Sequence, residues 1–230
     1  MLQKNIGLIG AMPEEIHCLL QGLDDYTEIQ KAGKTFYKGQ YQDQMVIICQ
    51  SGIGKVNAAL TATILIIDFN VSAIGFTGVA GGIAPDIQVG DLVLATTTAQ
   101  HDVDVTAFGY EVGQIPQQPV FLATSDFHNQ QILSLAQDYN IPLKKGCIVT
   151  GDQFVQTAAD KQQLHQTFFA LAVEMEGASV HAVCHAFNIP CVLLRGISDT
   201  ANGQATDDFE KFVKASADRS AQLLLAWLIS

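Results

Sequence analysis

Short apolar runs alternate with helix-like segments along this chain, and that alternation constrains the fold more than any other feature. The runs lie at 6–11, 72–78, 91–97, 147–150, 169–173 and 191–194. They are apolar at successive positions rather than at every second one, so both faces of each predicted strand must be covered. Between them the spacing predicts helices from Pro13, over 56–69, 129–137 and 177–187, and a closing amphipathic helix over 208–229. Segments 35–41 and 44–49 read as a hairpin about Gln42-Asp43. The expected class is α/β, three-layer, with a central mixed β-sheet flanked by helices. With 230 residues, 48% of them hydrophobic, and no linker or low-complexity tract, one domain is expected over 1–230.

In sheets of this kind ligands bind beyond the carboxyl ends of the strands. Those ends here carry Glu14 and Glu15, Ser51-Gly52-Ile53-Gly54, Val79-Ala80-Gly81-Gly82, Glu174-Met175-Glu176 and Ser198-Asp199. Carboxylates and glycines thus gather on one edge.

Charge excludes several classes. The net charge is −11, and Arg195 and Arg219 are the only arginines, so no surface for nucleic acid phosphates is expected. No basic amphipathic helix suits a membrane surface, and no apolar stretch is long enough to span one. Cys18, Cys49, Cys147, Cys184 and Cys191 are odd in number and lack CxxC spacing. They read as reduced thiols of a cytoplasmic protein, with no metal site and no cofactor expected.

Two glycine motifs fail on inspection. Gly7-Leu8-Ile9-Gly10-Ala11-Met12 lies between a strand and a helix but lacks the full dinucleotide-binding spacing. Ser51-Gly52-Ile53-Gly54-Lys55-Val56 resembles the end of a phosphate loop, yet Cys49 stands at its first glycine and Val56 at its Ser or Thr. The sharper signal is Val173-Glu174-Met175-Glu176, where alternation sends two carboxylates toward one cavity. Both readings stay open for Glu174, a ligand group or a cap for the following helix. Glu176, next to Gly177, Ala178 and Ser179, reads as functional. Ser198-Asp199 is an N-cap pair, Asp199 forms a structural ion pair with the nearby arginine, or, with Gly196 allowing close approach, the pair makes a ligand contact, which is the favoured reading. The histidines form no ligand set; His181 and His185 are four apart without the glutamate of a zinc motif.

With these residues in place, the chain resembles the 5′-methylthioadenosine/S-adenosylhomocysteine nucleosidases, within the wider nucleoside phosphorylase/hydrolase family. The likeness runs from Ile6 to the last helix. It rests on seven segments in order: 9–15, 51–55, 77–82, 101–110, 150–154, 173–176 and 195–199. The resemblance implies a nucleoside phosphorylase-like fold, a homodimer, and an adenine nucleoside as the small-molecule partner. It further implies residue roles. Asp199, held by Ser198, protonates adenine N7, and Glu15 takes a proton from water. Glu176 binds the ribose 2′-hydroxyl, with Met175 against the sugar. Phe154 stacks on the purine and the Val155 backbone reads its edge, while Ala80 and Gly81 lie beside base and sugar. Arg195 helps hold the water. Met12 and Glu174 complete the site. Ile53 and Phe209 line the 5′-pocket, closed by Phe108 and Pro116 of a second subunit. Many relatives have serine where Val79 stands, so a hydroxyl contact to the water is missing.

The chemistry suits these groups. Breaking a ribosyl–adenine bond leaves a cation-like sugar and an anion-like base, which call for a carboxylate and a general acid respectively. Two carboxyl groups kept in opposite protonation states answer that need. A phosphorylase of this fold would need arginines to grip phosphate, and this chain has no arginine cluster. Water is therefore the expected nucleophile. Aminofutalosine hydrolysis is an alternative of the same reaction type. A non-catalytic nucleoside sensor would keep Phe154 but would not need Glu15, Glu176 and Asp199 together.

Overall fold

The computed structural model describes residues 4–200 and 209–230, with side chains in the last helix described from residue 215. The elements follow the alternation expected from sequence. The chain begins β1 (Asn5–Gly10), α1 (Pro13–Gln21), β2 (Tyr26–Lys31), β3 (Lys34–Tyr41), β4 (Gln44–Gln50) and α2 (Lys55–Phe69). It continues β5 (Val71–Phe76), β6 (Val79–Gly82), β7 (Leu92–Gln100), β8 (Leu122–Ala123), α3 (Asp126–Asp138) and β9 (Leu143–Thr150). It ends α4 (Ala158–Phe168), β10 (Ala170–Glu174), α5 (Gly177–Ala186), β11 (Cys191–Asp199) and α6 (Phe209–Trp227).

The strands form one mixed sheet in the order β2-β3-β4-β1-β5-β11-β6-β10-β9-β7-β8. The pairs β4–β1, β1–β5 and β5–β11 are parallel, and the β2–β3–β4 meander is antiparallel. Beyond β5 the sheet curls on itself. β11 pairs with β6 from Gly196 onward and with β7 through Leu194–Gly196, so β11, β6, β10, β9 and β7 form a closed cycle. Core residues lie on both faces. One apolar cluster includes Ile9, Ile74 and Leu193 with α2 and α5 residues such as Leu65 and Val180. The other joins Leu8, Val192 and Leu194 to α1, α3 and α6 through Leu19, Ile132 and Leu224. Continuous apolar strands are explained by these two covers.

Four differences from expectation have physical causes. β2 is polar and mostly exposed, held by its antiparallel register with β3. β6 is four residues of Val79-Ala80-Gly81-Gly82, too short and glycine-rich to read as a strand. α4 is polar without an apolar stripe, yet Lys161 and Phe168 are buried on it. The run expected to stop at 194 continues through Arg195 to Asp199, because β6 and β7 pair with it on either side.

Candidate active site

At the N-terminus of α1, Met12 is extended and its side chain makes no capping bond. Glu15, at the third helical position, turns back to do that work. Its Oε2 accepts from the amides of Ala11 (2.6 Å) and Met12 (3.0 Å), and its Oε1 accepts from the Val79 amide (3.0 Å). Burial pushes the Glu15 carboxyl above its ordinary range, against the pull of Arg195 and the three amides. A carboxylate raised in this way is a better proton acceptor. Val79, which has no hydroxyl to offer, serves this site through its backbone N–H.

Gly78 permits the arrangement. A Cβ there would sit 3.0 Å from Glu15 Oε1 and 3.3 Å from Arg195 Cζ. Arg195 is 1% exposed and lies behind the cavity wall. Its Nε (3.2 Å) and Nη2 (2.7 Å) donate to Glu174 Oε2, and Nη1 donates to the carbonyls of Leu194 and Phe76. The guanidinium lies over the Phe76 ring, 4.1 Å from its centroid. In this structure its hydrogen bonds hold Glu174 in place. Glu174 also accepts from the amides of Glu176 and Gly177 and from Thr150 Oγ1. It therefore caps the following helix, as one of the two sequence readings had it, and it also lines the cavity.

Glu176 Oε1 accepts from the Gly54 amide at 2.8 Å. Its pKa is pushed up to about 7, first by burial and then by the charge of Glu174; the Gly54 amide and Arg195 oppose this. Gly54 has φ of 97°, and a Cβ on it would meet Asp152 Oδ1 at 3.1 Å. A clamp holds that turn. Lys55 donates from its amide to Asp152 (2.7 Å) and from Nζ to Asp102 (2.7 Å), and the Asp152 amide donates to Asp102 (2.9 Å). Three of the seven sequence segments meet here, and their task is to aim the Gly54 amide and the turn that carries Phe154.

The other end of the cavity is built differently. Asp199, at the end of β11, accepts from Ser198 Oγ on Oδ1 (2.9 Å) and from Lys161 Nζ on Oδ2 (2.5 Å). Lys161 was not singled out from sequence. A lysine in a polar helix carries no signal that distinguishes it from a solvated one, yet it is 1% exposed.

A single cavity of about 250 Å³ joins the two ends. Met12, Glu15, Glu174, Met175 and Glu176 wall one side, and Ala80, Gly81, Ser198 and Asp199 the other. Phe154, Val155 and Ile53 also line it. Phe154 and Ile53 are 65% and 56% exposed, which marks the mouth. Phe108 and Pro116 are exposed and lie outside the cavity of their own chain. Phe209 opens α6, and its side chain lies outside the described residues.

Comparison with known proteins follows the same lines. Residues 5–229 match the phosphorylase superfamily. The chain is 44% identical to the aminodeoxyfutalosine nucleosidase of Campylobacter jejuni, over 96% of each protein. It is 42% identical to the 5′-methylthioadenosine/S-adenosylhomocysteine nucleosidase of Staphylococcus aureus, over 96% of this chain and 97% of that protein. The crystal structure of the Helicobacter pylori nucleosidase of the latter name, with butyl-thio-DADMe-Immucillin-A, superposes with a TM-score of 0.95. It is 42% identical and covers 100% of this chain and 99% of that one.

Proposed function

This chain belongs to the phosphorylase superfamily, and on that premise we propose that it hydrolyses the N-glycosidic bond of 5′-methylthioadenosine and S-adenosylhomocysteine. The products are adenine and the 5-thio-substituted ribose. The observation that carries this reading is the composition of the cavity wall. Among the described residues that line it there are carboxylates at both ends and no lysine or arginine. The nearby cations are committed, Arg195 to Glu174 and Lys161 to Asp199. A phosphate dianion finds no partner there and meets repulsion from Glu15 and Glu176. Water suits the same wall.

As the ribosyl–adenine bond breaks, its electron pair leaves with the base, and a proton from Asp199 reaches N7. Glu15 takes a proton from the attacking water. Its raised proton affinity supports that role. Glu176 accepts from the ribose 2′-hydroxyl and, with Glu15, faces the positive charge that develops on the sugar. Phe154 stacks on the purine. A second reading within the same reaction is aminodeoxyfutalosine hydrolysis, favoured by relatives of that name at 44% identity. A homodimer in which Phe108 and Pro116 of one subunit cover the other's 5′-pocket accounts for a mouth edged by exposed Ile53 and Phe154 and for a Phe108 that is 82% exposed. Cys18, Cys49, Cys147, Cys184 and Cys191 form no disulfide among the described residues, which supports a cytoplasmic location.

Product analysis tests the assignment. Adenine release from 5′-methylthioadenosine is expected in phosphate-free buffer, with free 5-methylthioribose as the other product. Formation of 5-methylthioribose 1-phosphate as the main product would overturn the hydrolase reading.

A further inference from the structure

Lys161 is buried to the same degree as core leucines, and a lysine so placed normally has a partner. Among the described residues its ion-pair partner is Asp199, at 2.5 Å. Both oxygens of that carboxylate accept hydrogen bonds, one from the ammonium and one from Ser198 Oγ. In this arrangement the ammonium donates and the carboxylate accepts. Yet the proposed reaction requires Asp199 to deliver a proton. The ammonium is the nearest source, and it belongs to α4, which begins just after Phe154 and Val155 in the chain. Gly81 lines the cavity against the pair: a Cβ there would lie 3.5 Å from Lys161 Nζ and 3.4 Å from Asp199 Oδ2.

We propose that Lys161 stores the proton that Asp199 passes to adenine N7. The inference rests on the nucleosidase reading above. As the bond from C1′ to N9 breaks, its electron pair goes to the purine. Asp199 gives N7 a proton received from Lys161 Nζ, which is left as a neutral amine. Water supplies the hydroxyl to C1′ and its proton to Glu15. Between turnovers Glu15 releases that proton to solvent and the amine regains one, so the cycle closes. Lys161 does not line the cavity and acts through Asp199, which makes it a positioning residue that also holds the proton.

The test uses the full chain with two substrates, 5′-methylthioadenosine and a 4-nitrophenyl 5-methylthioriboside. The second has a leaving group that departs without a proton. Lys161→Met should lower kcat for the adenine substrate by about 10²-fold or more, the scale of general-acid contributions, with KM little changed. Its kcat for the nitrophenyl substrate should stay near that of the natural protein. Lys161→Arg can hold the carboxylate but cannot give up a proton, so it should be equally slow with the adenine substrate alone. It also decides the matter if the methionine variant fails to fold. Near-normal adenine release by Lys161→Arg, or an equal loss on both substrates, would overturn the proposal. Absence of adenine release by the natural protein would instead overturn the nucleosidase reading.

Discussion

The two ends of the cavity solve the problem of a buried carboxylate in opposite ways. At the end that the proposed reaction assigns to the sugar, Glu15, Glu174 and Glu176 share one arginine, and backbone amides of Ala11, Met12, Val79, Gly54, Glu176 and Gly177 do most of the holding. Negative charge is in excess there, and proton affinity is raised at Glu15 and Glu176. At the end assigned to the base, one carboxylate meets one ammonium, and both of its contacts come from side chains. The sugar end is held mainly by backbone amides and is over-charged; the base end is balanced and rests on a single ion pair. The proposed reaction, in which one side faces a developing cation and the other hands over a proton, benefits from that division.

The largest expected effects separate the two ends by stability as well as by rate. Glu15→Gln and Asp199→Asn should each lower kcat by about 10²–10⁴-fold, since an amide neither accepts the water proton nor donates a carboxyl proton. Their thermal midpoints should differ. Asp199→Asn leaves a buried ammonium without its counter-charge, which costs about 3 kcal/mol, or roughly 2–4 °C of midpoint per kcal/mol. Glu15→Gln gives up one hydrogen bond but also removes a charge from a crowded cluster, so the two effects oppose each other. Kinetics and thermal melts of both variants check this. Equal midpoints would mean that the ends are not differently charged, and near-normal turnover of folded Asp199→Asn would mean that the acid lies elsewhere.

A second contrast concerns pH. Glu176 has a folded-state pKa of about 7 against an ordinary 4.5. Between those values the folded state binds more protons than the unfolded one. The stability that Glu176 contributes is therefore fully present below pH 4.5 and lost as pH rises through about 7. The total is on the order of 2–3 kcal/mol. Gln at this position keeps an acceptor for the Gly54 amide and titrates nothing. Denaturant unfolding of Glu176→Gln should match the natural protein near pH 4.5, exceed it at pH 8, and vary less between. Glu15 contributes a remaining slope of the same sign. Parallel stability curves for the two proteins would contradict the crowding of charge at the sugar end.

The same division explains what the sequence could reveal. Most of the sheet and five of the helices were legible because their apolar runs and spacings are local. The carboxylates were legible because they stand at strand ends, where Glu15, Glu176 and Asp199 are found. What was hidden depends on contacts distant in sequence. Lys161 looks like a solvated lysine until α4 packs against β10 and brings it to Asp199, 38 residues away. The partners of Arg195 were hidden as well: Glu174 lies 21 residues away, and the Phe76 ring belongs to a different strand. The Lys55, Asp102 and Asp152 clamp joins motifs about 50 residues apart, which no single window shows. β6 was hidden because a glycine-rich strand carries no pattern, and its pairing with β11 defines it.

The smallest effect uses one substitution at both ends. Gly78 and Gly81 flank the start of β6, one against Glu15 and Arg195, the other against Asp199 and Lys161. A Cβ at 78 would press on Glu15 Oε1 at 3.0 Å and on Arg195 Cζ at 3.3 Å. Neither can yield freely, because three amides grip the carboxylate and Glu174 grips the guanidinium. Gly78→Ala should therefore shift the base by a few tenths of an ångström and lower kcat by about tenfold, given that 1 Å of misplacement can cost 10²-fold. Its KM should change little, since Gly78 does not line the cavity. A Cβ at 81 would meet its neighbours at 3.4–3.5 Å, ordinary contact distance, so the ion pair need not move. It would instead occupy space in the cavity, so Gly81→Ala should raise KM and leave kcat nearly as it was. Steady-state kinetics on the two alanine variants give both parameters. The opposite pattern, with kcat lost at 81 and kept at 78, would show that the base end is the rigid one.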